Sequence, residues 1–475
     1  MTPSKVLPPE IVGGEPWRGV SVLSSHMWVA NEDVANPAAI LGAAVLTSTN
    51  PSTGDITQIS LAEQHEHHIV IAPSLFTAAE WDDRLPNGYV TLDFSGNWDR
   101  FAFADGVTPK DDAQHAAWGA FEYADGGVIN LACGKGKTVL GLKKLAGRGY
   151  ATLVIVNNEG LIEMWADSAK KFLGVSDDQI GIVKGPRADW DKPFVIAMIH
   201  TLSRRVEAGT IPDEARLRFG TIIFDEVHHL SAQTFLQTAP LFFGNRYGLT
   251  ATAEREDGLE EAYFAHIGRI FYTDLQGDLD SKVYFFQLDT RFPTDMSLIK
   301  DKRGQISIGK LHTWLGEDSR RNYRILQVLR KPLEQGRKIL VLTHGKEHPD
   351  ILRDLLLDQS WYTGYNVGVV HGKIKRGRTA IIRESDITFA TFGVAREGLD
   401  SKELDTVVFA TPFKAWGGFQ QGKGRAERAL EGKPEPVVIV FDDHKLGPAG
   451  GLCKQLRRSL SVRGIPFTIT ERKAK

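Results

Sequence analysis

The feature that most constrains the fold is an apolar run, ending in Leu131, Ala132 and Cys133, that breaks at Gly134-Lys135-Gly136-Lys137-Thr138 and resumes as a helical pattern. Val139, Leu140 and Leu142 carry that pattern, with Lys143 and Lys144 among them. The order is strand, glycine loop, helix. Glycines let backbone N–H groups approach phosphates, and the helix N-terminus favours negative charge. In such a loop Gly134, Lys135 and Gly136 form the cradle, Lys137 reaches the terminal phosphates, and the Thr138 hydroxyl can ligate Mg²⁺.

A second apolar β-type run, Thr221-Ile222-Ile223-Phe224, ends in Asp225-Glu226-Val227-His228-His229. Acidic residues at the C-terminal end of a buried parallel strand stand where ligands bind in open α/β sheets. Asp225 can hold Mg²⁺ through water, and Glu226 can orient and deprotonate an attacking water. No partner with zinc-site spacing follows His228 and His229, so they read as coupling residues facing the cleft. Far downstream, Gln421 is followed by Gly424, Arg425 and Arg428. The two arginines are three residues apart, which on a helix gives them one face.

The second half repeats the α/β rhythm. Lys338–Thr343, Val367–His371, Val407–Ala410 and Val437–Phe441 read as strands with helical patterns between them, which predicts a second parallel sheet covered on both faces.

These motifs, in this order from about Gln114 to Asp442, resemble the superfamily 2 helicases and translocases of the DExH type. The resemblance implies an α/β chain with two tandem RecA-like domains, each a parallel sheet covered by helices, and with ATP and Mg²⁺ as cofactors. It implies that Gln114 reads adenine, and that Lys137, Asp225, Glu226, Gln421, Arg425 and Arg428 are catalytic, the two arginines as fingers. Leu153–Val156 with Asn157, Asn158 and Trp165 is similar to motif Ia, and Thr201 with Leu202 to the next nucleic-acid contact. Gly248-Leu249-Thr250-Ala251-Thr252 is similar to motif III, which links hydrolysis to domain movement. Thr343 belongs to the motif IV region. Thr391, Glu397, Gly398 and Asp400 resemble motif V, where Gly398 and Asp400 would meet the nucleotide. Arg255-Glu256-Asp257 is similar to the element of the XPB-like DNA helicases, and also fits the phage branch-migration helicases of the UvsW type.

At 475 residues the chain can hold two or three cores. Two cysteines, Cys133 and Cys453, point to a reducing compartment, and no apolar stretch is long enough for a bilayer, so the cytoplasm is the expected location. Residues 1–105 hold four basic residues against thirteen acidic ones, a formal −9 that leaves +7 for the rest of a chain whose net charge is −2. Lys454, Arg457, Arg458, Arg463, Arg472, Lys473 and Lys475 oppose only Glu471 at the end. Nucleic acid is therefore expected on the motor and the tail, and a protein partner on the acidic N-terminal part.

The expected division is a mixed α/β accessory domain over 1–105, a first RecA-like domain over 106–272, a linker over 273–318, a second RecA-like domain over 319–450 and a basic tail over 451–475. Within the linker, Lys300-Asp301-Lys302-Arg303-Gly304 between apolar flanks reads as a basic-tipped hairpin, either a wedge or an exposed turn. In the N-terminal part Trp17, Trp28, Trp81 and Trp98 read as core. His65, His67 and His68 read as solvated rather than metal-binding.

The leading expectation is an ATP-dependent DNA helicase or translocase on branched or duplex DNA, tracking a single strand. An RNA helicase of the DExH type stands as the enzyme alternative, and a nucleotide-gated nucleic-acid-binding protein as the alternative without unwinding.

Overall fold

A computed structural model of the chain describes residues 8–12, 14–49, 56–92, 101–229, 238–253, 259–372, 374, 377–393, 401–413 and 416–470. It divides into two compact units, Met1–Leu131 with Lys135–Leu275, and Ala132–Gly134 with Gln276–Lys475.

The first unit is built on an eight-stranded sheet in the order Arg187–Ala188, Ile180–Lys184, Phe194–Met198, Thr152–Val156, Thr221–Asp225, Asn245–Thr250, Gly127–Leu131, Ile270–Asp274. Every pairing is parallel except that of the first two. Parallel strands covered on both faces must be apolar throughout, and Gly127–Leu131, Thr152–Val156 and Thr221–Asp225 are buried at every residue. Alternation then splits the side chains between two cores. Ile223 joins Leu140 and Trp165 on one face, while Ile222 and Phe224 join Leu202 and Tyr263 on the other. The register pairs Asp225 with Leu249, and Leu249 with Ile129, so three strands end within two residues of one another at the same end of the sheet.

The N-terminal residues form a five-stranded sheet and a separate hairpin, Val45–Thr49 with Ile56–Ser60. Sequence reading places them in a domain apart; the structure groups them with the first unit. Ala44, Leu61 and Ala72 share a core with Leu259, Ala262 and Ala265, and Ser74 N–H donates to Ala265 O at 2.7 Å. Arg246 is buried and donates to Ser25 O at 2.8 Å and to His266 O at 2.9 Å. Trp28 and Trp81 are core residues, as expected. Two of the three histidines differ from expectation: His68 is buried against Trp17 O and Val20 O, and His67 bonds Glu15 at 2.7 Å, while His65 is exposed. Trp98 lies outside the described residues.

The second unit carries a seven-stranded, wholly parallel sheet in the order Val367–Val370, Ile387–Thr391, Ile339–Thr343, Thr406–Phe409, Val437–Asp442, Lys282–Gln287, Phe467–Thr470. Two expected boundaries need correction. Lys282–Gln287, assigned to a linker, is an interior strand, because Val283 and Phe285 fill the core of this sheet. The supposed tail supplies the helix Gly447–Val462 and an edge strand, with Cys453, Leu456 and Leu460 buried. Two of its basic residues are used internally: Arg457 pairs with Asp442, and Arg463 lies 4.4 Å from the Trp416 ring centroid. Arg472, Lys473 and Lys475 lie outside the described residues.

The basic-tipped turn is present. Lys300 and Ile306 form an antiparallel bridge, Asp301 accepts from the N–H groups of Arg303 and Gln305, and Gly304 takes φ 78°. Its root, Ile299, is buried with Leu311 and Leu315. Among the described residues no helix is long and apolar enough to cross a membrane, and no group of three or more histidine, cysteine and acidic residues is arranged to hold a metal ion by itself.

Candidate nucleotide-binding site

Strand Gly127–Leu131 feeds the glycine loop, and the helix Lys137–Arg148 leaves it. Gly134 and Gly136 take φ 88° and 81°, a left-handed conformation that side chains other than glycine resist. A Cβ at Gly136 would stand 2.9 Å from Gln114 Nε2, so glycine there is also a matter of space. Gln114 is fixed at both ends: its Nε2 donates to Lys135 O at 3.2 Å, and its Oε1 accepts from Lys110 N–H at 2.8 Å. Lys135 faces Asp274 at 3.9 Å, a partner that sequence reading missed because it lies more than a hundred residues on, at the end of the edge strand paired with Gly127–Leu131. The Lys137 ammonium donates to Leu131 O at 3.0 Å, folded back across its own loop.

Asp225 closes its strand with a buried carboxylate. Trp165 Nε1–H donates to Oδ2 at 2.7 Å, and Glu226 N–H to Oδ1 at 3.0 Å. Burial first, and then the neighbouring Glu226 carboxylate, push the Asp225 carboxyl up to about 7 against the pull of Trp165 and the Lys137 charge. Glu226 takes φ 49°, the one positive φ outside glycine among the described residues. Such strain persists only where the surroundings enforce it, and it is enriched at functional sites. Glu226 Oε2 is buried and makes no hydrogen bond among the described residues.

His228 brings the next strand in. Its Nδ1 lies 2.7 Å from Thr250 Oγ1 and 3.5 Å from Glu226 Oε2. The Thr250 oxygen also lies 2.9 Å from Thr252 O and accepts from Thr252 N–H at 3.0 Å, so one hydroxyl is shared between His228 and the segment that leaves the strand. Thr138, on the first turn of the loop helix, is partly exposed. A buried aspartate with a raised pKa beside an unsatisfied glutamate oxygen is a donor set short of positive charge, which fits a divalent cation held by Asp225 and Thr138.

The expected nucleic-acid contacts are more scattered. Asn158 caps the helix Glu159–Leu173 and donates to Asn157 Oδ1 at 2.9 Å. Thr201 accepts from Gly185 N–H at 3.1 Å, steadying the turn between two strands. Thr343 is fully buried, its hydroxyl bonded to Gly345 O at 3.4 Å, which removes it as a strand contact. The residue beside it, His344, is the partly exposed one. It bonds Thr411 through backbone and ring, and its ring stacks between His312 and Phe392. Thr391 ends its strand partly exposed. Gln421 and Arg425 are buried in the helix Trp416–Ala426. That helix stops before Arg428, so the two arginines do not share a helical face as expected. The backbone past the helix is pinned instead, with Leu279 N–H donating to Glu427 O and Asp278 accepting from Ala429 N–H at 3.2 Å. Arg255, Glu256, Asp257, Glu397, Gly398 and Asp400 lie outside the described residues.

Residues 107–255 match the family described as the res subunit of type III restriction enzymes. A protein of Acanthamoeba polyphaga mimivirus, provisionally assigned as an ATP-dependent RNA helicase, is 27% identical over 68% of this chain and 61% of its own. A phage T5 protein, provisionally assigned as a helicase, is 24% identical over 66% of each. The DNA 3'-5' helicase XPB of Kineococcus radiotolerans is 35% identical over 34% of this chain and 29% of its own. The chain thus spans less than two thirds of the length of each of these relatives. A solved fragment assigned to the HsdR subunit of a type I restriction enzyme from Vibrio vulnificus shares the fold, with a TM-score of 0.54 and 18% identity over 93% of this chain and 82% of the fragment.

Proposed function

Because this chain belongs to superfamily 2 of the helicases, among relatives that include the XPB-like proteins, we propose that it is an ATP-dependent DNA helicase or translocase acting on branched or duplex DNA. One observation carries the reading: Lys137, the Asp225 and Glu226 carboxylates, and the His228 to Thr250 bond gather at the same end of three parallel strands. Lys137 would leave Leu131 O for the terminal phosphates of ATP. Glu226 would align the attacking water through its unsatisfied oxygen and accept its proton. Gln114 would hold the adenine edge. Mg²⁺ bound by Thr138 and Asp225 would neutralise charge developing on the phosphates. Gln421, Arg425 and Arg428 would stabilise the charge that develops on the transferred phosphoryl group.

His228 and Thr250 would carry the state of Glu226 into the segment after Thr252, where Arg255, Glu256 and Asp257 stand. Asn157, Thr201 and Thr391 would grip one strand by its backbone. Residues 1–105 would offer a partner protein an acidic surface, and the site of action would be the cytoplasm.

The deciding experiment is ATPase and strand displacement measured in parallel on forked, Holliday-type and duplex DNA and on matched RNA at stated salt. DNA-stimulated hydrolysis with strand displacement or directional movement is expected. Preference for RNA, the substrate named for the mimivirus relative, would overturn the DNA assignment. Nucleotide-dependent binding without turnover would leave a gated binding protein.

A further inference from the structure

The proposed chemistry makes no use of Trp165, although three elements of the first unit meet at its ring. The indole is fully buried on the helix Glu159–Leu173. Its Nε1–H donates to Asp225 Oδ2 at 2.7 Å, while Oδ1 takes the Glu226 N–H at 3.0 Å. The opposite edge of the ring rests on the helix that leaves the glycine loop. A Cβ added at Gly141 would stand 3.1 Å from Trp165 Cη2 and 3.1 Å from Ile223 Cδ1, tighter than ordinary packing. Gly141 is what lets the indole reach Asp225.

A buried indole N–H needs an acceptor, and a backbone carbonyl would serve. Here the acceptor is the carboxylate expected to hold the cation. We propose that Trp165 is a positioning residue for the cation site: its N–H holds one oxygen of Asp225 and fixes the plane of the carboxylate, leaving the remaining lone pairs for hydrated Mg²⁺. This rests on the nucleotide-motor reading above. Partners that orient a metal ligand without touching the metal commonly change metal affinity by about 10- to 100-fold.

The test is Trp165→Phe in the full chain, which keeps an aromatic ring and removes the donor. A fluorescent non-hydrolysable ATP analogue is titrated at equilibrium, without nucleic acid, across Mg²⁺ concentrations and again in EDTA. The expected result is a rise of about tenfold or more in the Mg²⁺ needed for half-maximal binding, with affinity in EDTA within about twofold of wild type. Gly141→Ala crowds the indole without altering either hydrogen-bonding group and should move the Mg²⁺ dependence the same way; it carries the test if the phenylalanine variant folds poorly. Mg²⁺ dependence unchanged in the folded variant, or an equal loss of affinity in EDTA, overturns the positioning role. Failure of the wild type to bind the analogue in any Mg²⁺-dependent manner overturns the nucleotide reading itself, and the positioning role with it.

Discussion

His228 Nδ1 lies 2.7 Å from the Thr250 hydroxyl, which is itself bound to both the carbonyl and the N–H of Thr252. One oxygen therefore joins the strand ending in the acidic pair to the segment that leaves the neighbouring strand. Thr250→Val keeps the shape and removes that oxygen. We expect hydrolysis to persist while strand displacement per ATP falls about tenfold, the scale of a coupling term of 1–2 kcal/mol. Parallel ATPase and displacement assays check this, and equal losses in both would contradict a coupling role.

Glu226 pairs a catalytic assignment with backbone strain at φ 49°. Glu226→Gln should abolish turnover and retain ATP binding. Glu226→Gly should also abolish turnover while raising folding stability by about 1 kcal/mol, because glycine adopts this conformation without strain. Urea denaturation of the nucleotide-free protein measures the second effect.

Lys137→Ala and Arg425→Ala should fail differently. The first removes the cation nearest the phosphates and should lower both nucleotide affinity and turnover. The second should reduce turnover by about 10³-fold or more with affinity for the ATP analogue little changed, since a finger acts on the transition state. Equilibrium binding and single-turnover hydrolysis separate the two.

The pH dependence of stability carries two opposite signatures. Burial and Glu226 raise Asp225 from 3.8 to about 7, so the folded chain binds more protons than the unfolded one across that window, and this group's contribution falls as pH rises through it. Asp225→Asn should gain stability relative to wild type between pH 5 and 7.5.

Glu10 behaves in the other sense. Burial alone would raise its carboxyl, but hydrogen bonds from His26 and Ser24, and the His26 charge, bring it down from 4.5 to about 2. Its stabilisation is present above pH 4.5 and lost as pH falls toward 2. Glu10→Gln should cost about 1–3 kcal/mol at neutral pH and flatten that acid limb. Chemical denaturation at each pH measures both effects.

The nucleotide loop was legible because its chemistry is local: glycines, Lys137 and Thr138 are neighbours in the chain and each role follows from spacing. The same holds for Asp225 and Glu226 after an apolar strand, and for the strands at 338–343, 407–410 and 437–441, which the structure reproduces to within a residue at either end. Lys282–Gln287 escaped because a lone strand in a region without motifs looks like any apolar stretch until its two neighbours, Val437–Asp442 and Phe467–Thr470, are paired with it. Thr343 was misjudged because a hydroxyl at a strand end gives no sign of which way it faces. Arg428 was placed on a helical face that ends two residues earlier, at Ala426.

The sequence by itself determined the parts list: a phosphate loop, an acidic strand end, a threonine pair and a distant arginine pair, in one order along two α/β halves. Only the tertiary structure decided what each part answers to. Trp165 finds Asp225 across 60 residues, and Asp274 finds Lys135 from the edge strand paired with Gly127–Leu131. Arg246 is buried against Ser25 from the opposite end of the first unit. The physical reason is that phosphate recognition needs residues adjacent in the chain, whereas a buried charge or indole N–H needs a partner adjacent in space, and parallel strands bring together residues that the sequence keeps apart.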